Sequence, residues 1–163
     1  MPEVYVGVGS NIDAEAHLKL AVRSLEDRFG RLCCSDVFRS PSFGFEGEDF
    51  LNMVVGFSTP DGPDRVEQIL SAIEYAGGRT REAARYVPRT LDLDLLLYGA
   101  MVDPRRRLPR EDVLRYPFVL GPLADLAPAL PHPVSGVTLG AAWRAMAARP
   151  VALERLGSLE APA

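Results

Sequence analysis

Arg85-Tyr86-Val87-Pro88-Arg89-Thr90-Leu91-Asp92-Leu93-Asp94-Leu95-Leu96-Leu97-Tyr98 is the stretch whose reading decides the fold. From Leu91 onward its residues alternate as an extended strand does, with successive side chains on opposite faces. Leu91, Leu93, Leu95 and Leu97 fall on one side, and Asp92, Asp94, Leu96 and Tyr98 on the other. The leucine side must bury. That leaves two carboxylates on the opposite face, roughly 7 Å apart at a rise of about 3.3 Å per residue. Two readings fit the pair: a solvated strand face, or the ligand set of a divalent cation, with hard oxygen donors suited to Mg²⁺. Arg79, Arg81, Arg85 and Arg89 lie just upstream, with only Glu82 against them. Carboxylates for a metal beside guanidiniums for phosphate oxygens point to a nucleotide polyphosphate.

Upstream of this stretch the chain reads as strands and amphipathic helices. Val4, Val6 and Val8 alternate with Tyr5, Gly7 and Gly9, which predicts a buried first strand. Gly7-Val8-Gly9-Ser10-Asn11 ends it and is neither a Walker A loop nor a complete dinucleotide fingerprint. Its glycines allow close backbone approach, and Asn11 or Asp13 can cap the helix that follows. That helix carries Leu18, Ala21, Val22, Leu25 and Phe29 on one stripe and closes at Gly30. A second strand is predicted over 32–39 and a third over 50–57, separated by a long polar loop. Phe43 and Phe45 are costly in such a loop without a partner. Phe50, Asn52 and Val54 share a face of the third strand. The Asn52 carboxamide offers one acceptor and two donors, which suits a structural partner such as a backbone loop better than the edge of a ligand. A second helix carries Val66, Ile69, Leu70 and Ile73, with Pro63 in its first turn and Gly77-Gly78 at its end. Glu74 lies near its C-terminus, where the helix dipole disfavours a carboxylate, so a cationic partner is expected, with Arg79 or Arg81 nearest in sequence.

Downstream the signals are weaker. Residues 78–87 form a glycine-led, arginine-bearing loop that reads either as a lid over phosphates or as solvated surface. Arg105-Arg106-Arg107 reads as a solvated turn or a phosphate contact. His132 sits between Pro131 and Pro133 and reads as structural. Leu139, Ala142, Trp143 and Met146 line one stripe of a last helix, and the tail from about Val151 is expected to be loosely held.

Composition sets outer limits. A chain of 163 residues with 47% hydrophobic and 25% charged residues fits one domain, spanning 1–163, with one sizeable core. A net charge of −4 argues against a global field for nucleic acid, so phosphate binding must come from a local cluster. No apolar run approaches the roughly 18 residues that span a bilayer, and the N-terminus lacks the pattern of a signal peptide, so a cytoplasmic protein without membrane contact is expected. Cys33 and Cys34 are adjacent, cannot complete a four-ligand zinc site and read as small packing residues.

Pro88-Arg89-Thr90-Leu91-Asp92-Leu93-Asp94 resembles the signature of the 6-hydroxymethyl-7,8-dihydropterin pyrophosphokinase family of folate synthesis. Further segments are similar in order: Gly7 to Asn11, Arg39-Ser40-Pro41 with Phe50-Leu51-Asn52, and Pro117 to Pro128. The resemblance covers about residues 3–145. It implies a ferredoxin-like α+β fold, β-α-β-β-α-β with added C-terminal helices. Helices would cover the leucine face of the sheet, and long loops the aspartate face. It implies ATP as co-substrate, two Mg²⁺ on Asp92 and Asp94, and catalytic roles for those aspartates with Arg79 and Arg81. Glu74, Arg81, Tyr86, Arg89, Arg105 and Arg110 would contact ATP. Ser40, Pro41, Phe43, Phe50, Asn52 and Phe118 would contact the pterin, with Phe50 and Phe118 as its two aromatic walls. Product would pass to dihydropteroate synthase, and the enzyme would be a monomer.

The chain also departs from the family. Arg110 stands where a His is usual in Pro-His-Pro, Tyr86 where many members have Trp, and a family Arg aligns with Tyr116 or, after a one-residue shift, with Arg115. An arginine binds phosphate but cannot act as an acid or base near neutral pH. No residue stands out as a general base. The substitution at Arg110 is the main argument for the competing reading, a ligand-binding or regulatory module without turnover.

Overall fold

A computed structural model describes residues 1–41, 49–77 and 91–159. The described residues hold β1 (Glu3–Ser10), α1 (Ala14–Phe29), β2 (Cys33–Cys34), β3 (Val37–Ser40), β4 (Phe50–Ser58), α2 (Pro63–Ala76), β5 (Asp92–Tyr98), α3 (Pro117–Leu126), α4 (Leu139–Ala147) and β6 (Glu154–Gly157). Two 3₁₀ turns, Pro104–Arg106 and Glu111–Leu114, link β5 to α3. The six strands form one sheet in the order β5-β1-β4-β3-β6, with β2 also on β4. All the pairings are antiparallel.

The helical stripes bury as their spacing demands. Leu18, Ala21 and Leu25 of α1 and Val66, Ile69, Leu70 and Ile73 of α2 are buried. They pack on Val4, Val6, Val8, Met53, Val55, Leu91, Leu93 and Leu95 from one sheet face. Gly30, at φ 80°, ends α1 in a conformation that L side chains rarely adopt. Asp13 holds the N-cap position of α1 but makes no side-chain capping bond.

Strand β5 departs from the expected alternation at its far end. Val6 pairs with Leu95 and Tyr5 with Leu97, so Leu96 is the extra residue of a bulge. The bulge reverses parity: Leu97 joins the core on the aspartate face, and Tyr98 joins the leucine-side core. The aspartate face is therefore not left to loops alone. Tyr5, Val54, Leu96 and Leu97 are covered there by Leu120, Leu123 and Ala124 of α3 and by Leu139 of α4. The α3–α4 layer takes part of that face and leaves the part bearing Asn52, Asp92 and Asp94 half-buried.

Three local expectations need correction. The second strand is split: Ser35 breaks it, and its hydroxyl accepts the Val54 N–H at 2.9 Å. Cys33 and Cys34 are exposed on the short β2 segment rather than buried as core residues. The segment read as a loosely held tail carries β6, which pairs with β3 from Val37 to Arg39. Arg155 fixes it, with Nη1 at 2.7 Å from Asp36 and 2.8 Å from Asp125, and its guanidinium over the Phe38 ring. These partners are distant in sequence, so the short run Leu153-Glu154-Arg155-Leu156 carried no signal of its own.

Candidate active site

Register sets the site. Gly9 pairs with Asn52 on one side and Asp92 on the other, so the three form one row across β4, β1 and β5. Gly7 likewise joins Val54 and Asp94 in the next row. At a strand spacing of about 4.8 Å, Asn52 and Asp92 stand roughly 10 Å apart on one face. The alternation that put both aspartates on one face holds in the structure up to the bulge.

Gly9 is what lets Asn52 lie down. A Cβ built on Gly9 would meet Asn52 Oδ1 at 2.8 Å, closer than real Cβ contacts come. The Asn52 carboxamide donates through Nδ2 to Ser40 Oγ at 3.2 Å, and Ser40 itself is buried. Ser40 pairs with Phe50 across β3 and β4, which puts Ser40, Phe50 and Asn52 on the same face. Pro41 follows, exposed, at the strand end. Phe118 sits at the start of α3, half-buried, and Tyr116 stacks on it with ring centroids 5.1 Å apart.

Asp94 has a cation beside it. Arg110 Nη2 lies 3.6 Å from Asp94 Oδ1, and Arg110 Nε donates to Asp112 Oδ2 at 3.2 Å. The Arg110 backbone N–H donates to Leu96 O at 2.9 Å, which pins this residue against β5. Glu67 on α2 belongs to the same electrostatic cluster. Desolvation raises its carboxyl above the usual range, with Arg110 opposing the rise and Asp94 adding to it. Glu74 uses Oε2 to accept the Leu93 N–H at 2.9 Å. Leu93 lies between the two aspartates on the outermost strand, so Glu74 staples α2 to the middle of the Asp-Leu-Asp run. Arg105 is exposed on the first 3₁₀ turn, where its backbone N–H caps on Asp103. Its neighbour Arg106 ties that turn to α2 through Asp64 and pairs within the turn with Asp103.

Sequence reasoning put Asp92 with Asp94 on one strand face and Phe50 with Asn52 on another strand's face; the register brings these and Ser40 to one face of the sheet. Phe43, Arg79, Arg81, Tyr86 and Arg89 lie outside the described residues. Sequence reasoning missed Gly9 as the seat of Asn52, Tyr116 as the ring on Phe118, and Asp112 and Glu67 beside Arg110. Gly9 was legible in principle, because a glycine facing an Asn across a strand pair leaves room for its side chain. Asp112 and Glu67 were not, since both depend on how α2 and the second 3₁₀ turn dock.

His132 is buried, and its Nδ1 accepts the N–H groups of Val134 and Ser135 at 3.2 Å each, which makes it part of a turn. No helix among the described residues is long and apolar enough to cross a membrane.

The two aspartates fit a hard cation. Among the described residues no group of three or more His, Cys, Asp or Glu side chains is placed to hold a metal. Two carboxylates without further protein ligands suit Mg²⁺, which keeps waters and takes remaining oxygens from phosphates, and suit Zn²⁺ or Ca²⁺ poorly.

Known proteins resemble this chain over most of its length. Residues 5–128 match the family model described as 7,8-dihydro-6-hydroxymethylpterin-pyrophosphokinase. A 2-amino-4-hydroxy-6-hydroxymethyldihydropteridine pyrophosphokinase of Methylorubrum extorquens is 41% identical over 136 residues, which cover 80% of this chain and 85% of that protein. Its namesake in Pseudomonas aeruginosa is 38% identical over 139 residues, covering 80% and 83%. Among solved structures, wild-type HPPK-DHPS of Plasmodium falciparum matches with a TM-score of 0.75 at 12% identity, covering 94% of this chain and 48% of that one. The same protein with pteroate gives 0.77 at 11% identity, covering 94% and 47%. This chain spans about half the length of those Plasmodium chains, and at such identity the likeness is one of fold.

Proposed function

The chain belongs to the 7,8-dihydro-6-hydroxymethylpterin-pyrophosphokinase family, and from that premise we propose that it transfers pyrophosphate from ATP to 6-hydroxymethyl-7,8-dihydropterin in folate biosynthesis. The pterin hydroxymethyl oxygen attacks the β-phosphorus and the bond from that phosphorus to the α-phosphate oxygen breaks. The hydroxyl proton passes to solvent water, and AMP leaves with the bridging oxygen. The observation that carries this reading is the row Asn52–Gly9–Asp92, which sets an amide and a carboxylate on one face about a ring system apart.

In this reading Asn52, oriented by Ser40 and seated on Gly9, reads the donor–acceptor edge of the pterin. Phe50 and Phe118 flank the ring. Tyr116 already takes one face of Phe118, so the pterin uses the other. Asp92 and Asp94 would hold two Mg²⁺, which would supply charge neutralisation at the phosphoryl oxygens. Arg110 donates to phosphate oxygens from a fixed backbone position. Arg79, Arg81, Tyr86, Arg89, Arg105 and Glu74 complete the nucleotide side. Positioning and electrostatics carry such a transfer, so a dedicated general base is not needed. The strand order β5-β1-β4-β3 with its two helical crossovers supports the ferredoxin-like reading. The protein acts as a cytoplasmic monomer and hands its product to dihydropteroate synthase. A relative named as a folate synthesis bifunctional protein in Arabidopsis thaliana supports a place in that pathway.

The test is product analysis. Wild type with Mg²⁺-ATP should form AMP only when the hydroxymethyl-dihydropterin is present, and Asp94→Ala should lose at least about 10³-fold in kcat. ADP as product would mean attack at the γ-phosphorus and would overturn the mechanism. Binding of both ligands without turnover would make the chain a binding module.

A further inference from the structure

The contacts of Arg110 are unequal. At 3.2 Å and through Nε, its bond to Asp112 is a hydrogen bond. At 3.6 Å, its approach to Asp94 is an ion pair beyond hydrogen-bond reach. The Arg110 side chain is 19% exposed and Asp112 22%, whereas Asp94 is 45% exposed. The guanidinium is therefore anchored on Asp112 and only leans on Asp94. Asp112 has a second cation near it, with Arg107 Nη2 at 3.9 Å, so it remains neutralised if Arg110 turns. The backbone of Arg110 is held by Leu96 O and need not move.

We propose that Arg110 is a placeholder cation at Asp94. In the nucleotide-free protein it neutralises that carboxylate and opposes binding of a bare divalent ion there. When the ion arrives on a nucleotide, the guanidinium pivots on Asp112 from Asp94 to the polyphosphate. Two cations cannot share one carboxylate without repulsion, whereas a polyphosphate brings enough negative charge for both. Divalent metal therefore enters with nucleotide and not ahead of it. The inference rests on the proposed function, since it takes Asp94 as a metal ligand.

Direct Mn²⁺ titration, read by the electron paramagnetic resonance signal of the free aquo ion, tests this without turnover. The proteins are wild type, R110A, R110Q, R110K and D94N, each titrated alone and then with α,β-methylene-ATP. R110Q keeps an N–H donor for Asp112, so the test survives if R110A misfolds. Removing the charge should tighten bare Mn²⁺ binding by roughly threefold to tenfold and weaken Mn²⁺ binding with the analogue by a similar factor. R110K should stay near wild type in both states. The opposite signs separate this role from a structural one, which would weaken both. Unchanged or weaker bare Mn²⁺ binding in R110A and R110Q would overturn the placeholder role alone. A D94N protein that binds Mn²⁺ as wild type does in both states would remove the metal reading itself, and the inference with it.

Discussion

The proposed role of Asn52 depends on residue 9 having no side chain. The Asn52 Oδ1 lies 2.8 Å from where a Cβ on Gly9 would stand, so an alanine there would displace the carboxamide. Gly9→Ala should therefore raise the pterin KM by about tenfold, the equivalent of about 1.4 kcal/mol, and so should Asn52→Ala. The double variant should be little worse than either alone, because both remove the same oriented carboxamide. Steady-state kinetics on the four proteins decide the point, and additive losses would separate the two residues. His132 makes a second prediction at this scale. Burial holds its imidazole below the ordinary 6.5. The unfolded chain then takes up the proton first, so stability from this group is complete above about pH 6.5. It falls as pH drops through that value and levels off below the folded-state pKa. Urea midpoints at pH 7.5 and 5 should show the loss, and His132→Asn, which keeps an acceptor for Val134 and Ser135, should lessen it. Much at this scale was legible. Two aspartates two apart in an alternating run share a face whatever surrounds them, and the same parity groups Asn52 with Phe50 and Val54. The roles of Gly9 and Asp112 needed the pairing register and the docking of a turn, which no local pattern encodes.

Strand β5 is the outermost of its sheet, so its outward N–H groups need partners other than a neighbouring strand. Glu74 supplies one at Leu93, which fixes the backbone between the two aspartates. The expectation of a cationic partner came from the helix dipole, and Arg79 and Arg81 lie outside the described residues. A backbone N–H nonetheless gives the carboxylate a reason to sit at the end of α2. Glu74→Gln keeps an acceptor and should hold stability within about 0.5 kcal/mol of wild type. Glu74→Ala leaves the Leu93 N–H without it and should cost about 1 kcal/mol, with a fall in kcat as the aspartates lose their brace. Chemical denaturation and single-turnover AMP formation would check both arms. Equal behaviour of the two variants would show that the bond is incidental. The sequence announced α1, α2 and β5 plainly, because each carries a long periodic apolar run. It could not announce the bulge at Leu96, since an unbroken Leu95-Leu96-Leu97 run satisfies either face. The cores on both faces of the sheet accept leucine, and only the pairing of Tyr5 with Leu97 selects the outcome.

At the scale of the whole chain, residues far apart in sequence meet where β6 docks. Arg155 joins Asp36 and Asp125, Leu153 closes over Gly121, and Leu159 packs against the core beneath α1 and α2. This strand covers β3, whose last residue, Ser40, orients Asn52. The end of the chain is thus two contacts from the proposed pterin edge and lies on the far side of the sheet from β5. Removing residues from Val151 onward should cost about 3 kcal/mol, from two partly buried leucines and three largely exposed ion pairs. For a chain of this length that is a fall in Tm of roughly 10 °C. It should also bare the β3 edge, with its unpaired N–H and C=O groups, to self-association. The functional loss should be lopsided. Pterin affinity should fall several-fold through Ser40 and Asn52, while binding of Mg²⁺ with a non-hydrolysable ATP analogue should stay close to wild type. The reason is that β5 and Arg110 are held by β1 and the second 3₁₀ turn. Calorimetric titration of each ligand below the lowered Tm separates the outcomes. Equal loss of both ligands would mean that the sheet responds as one body, and no loss of either would mean that Ser40 is held without β6.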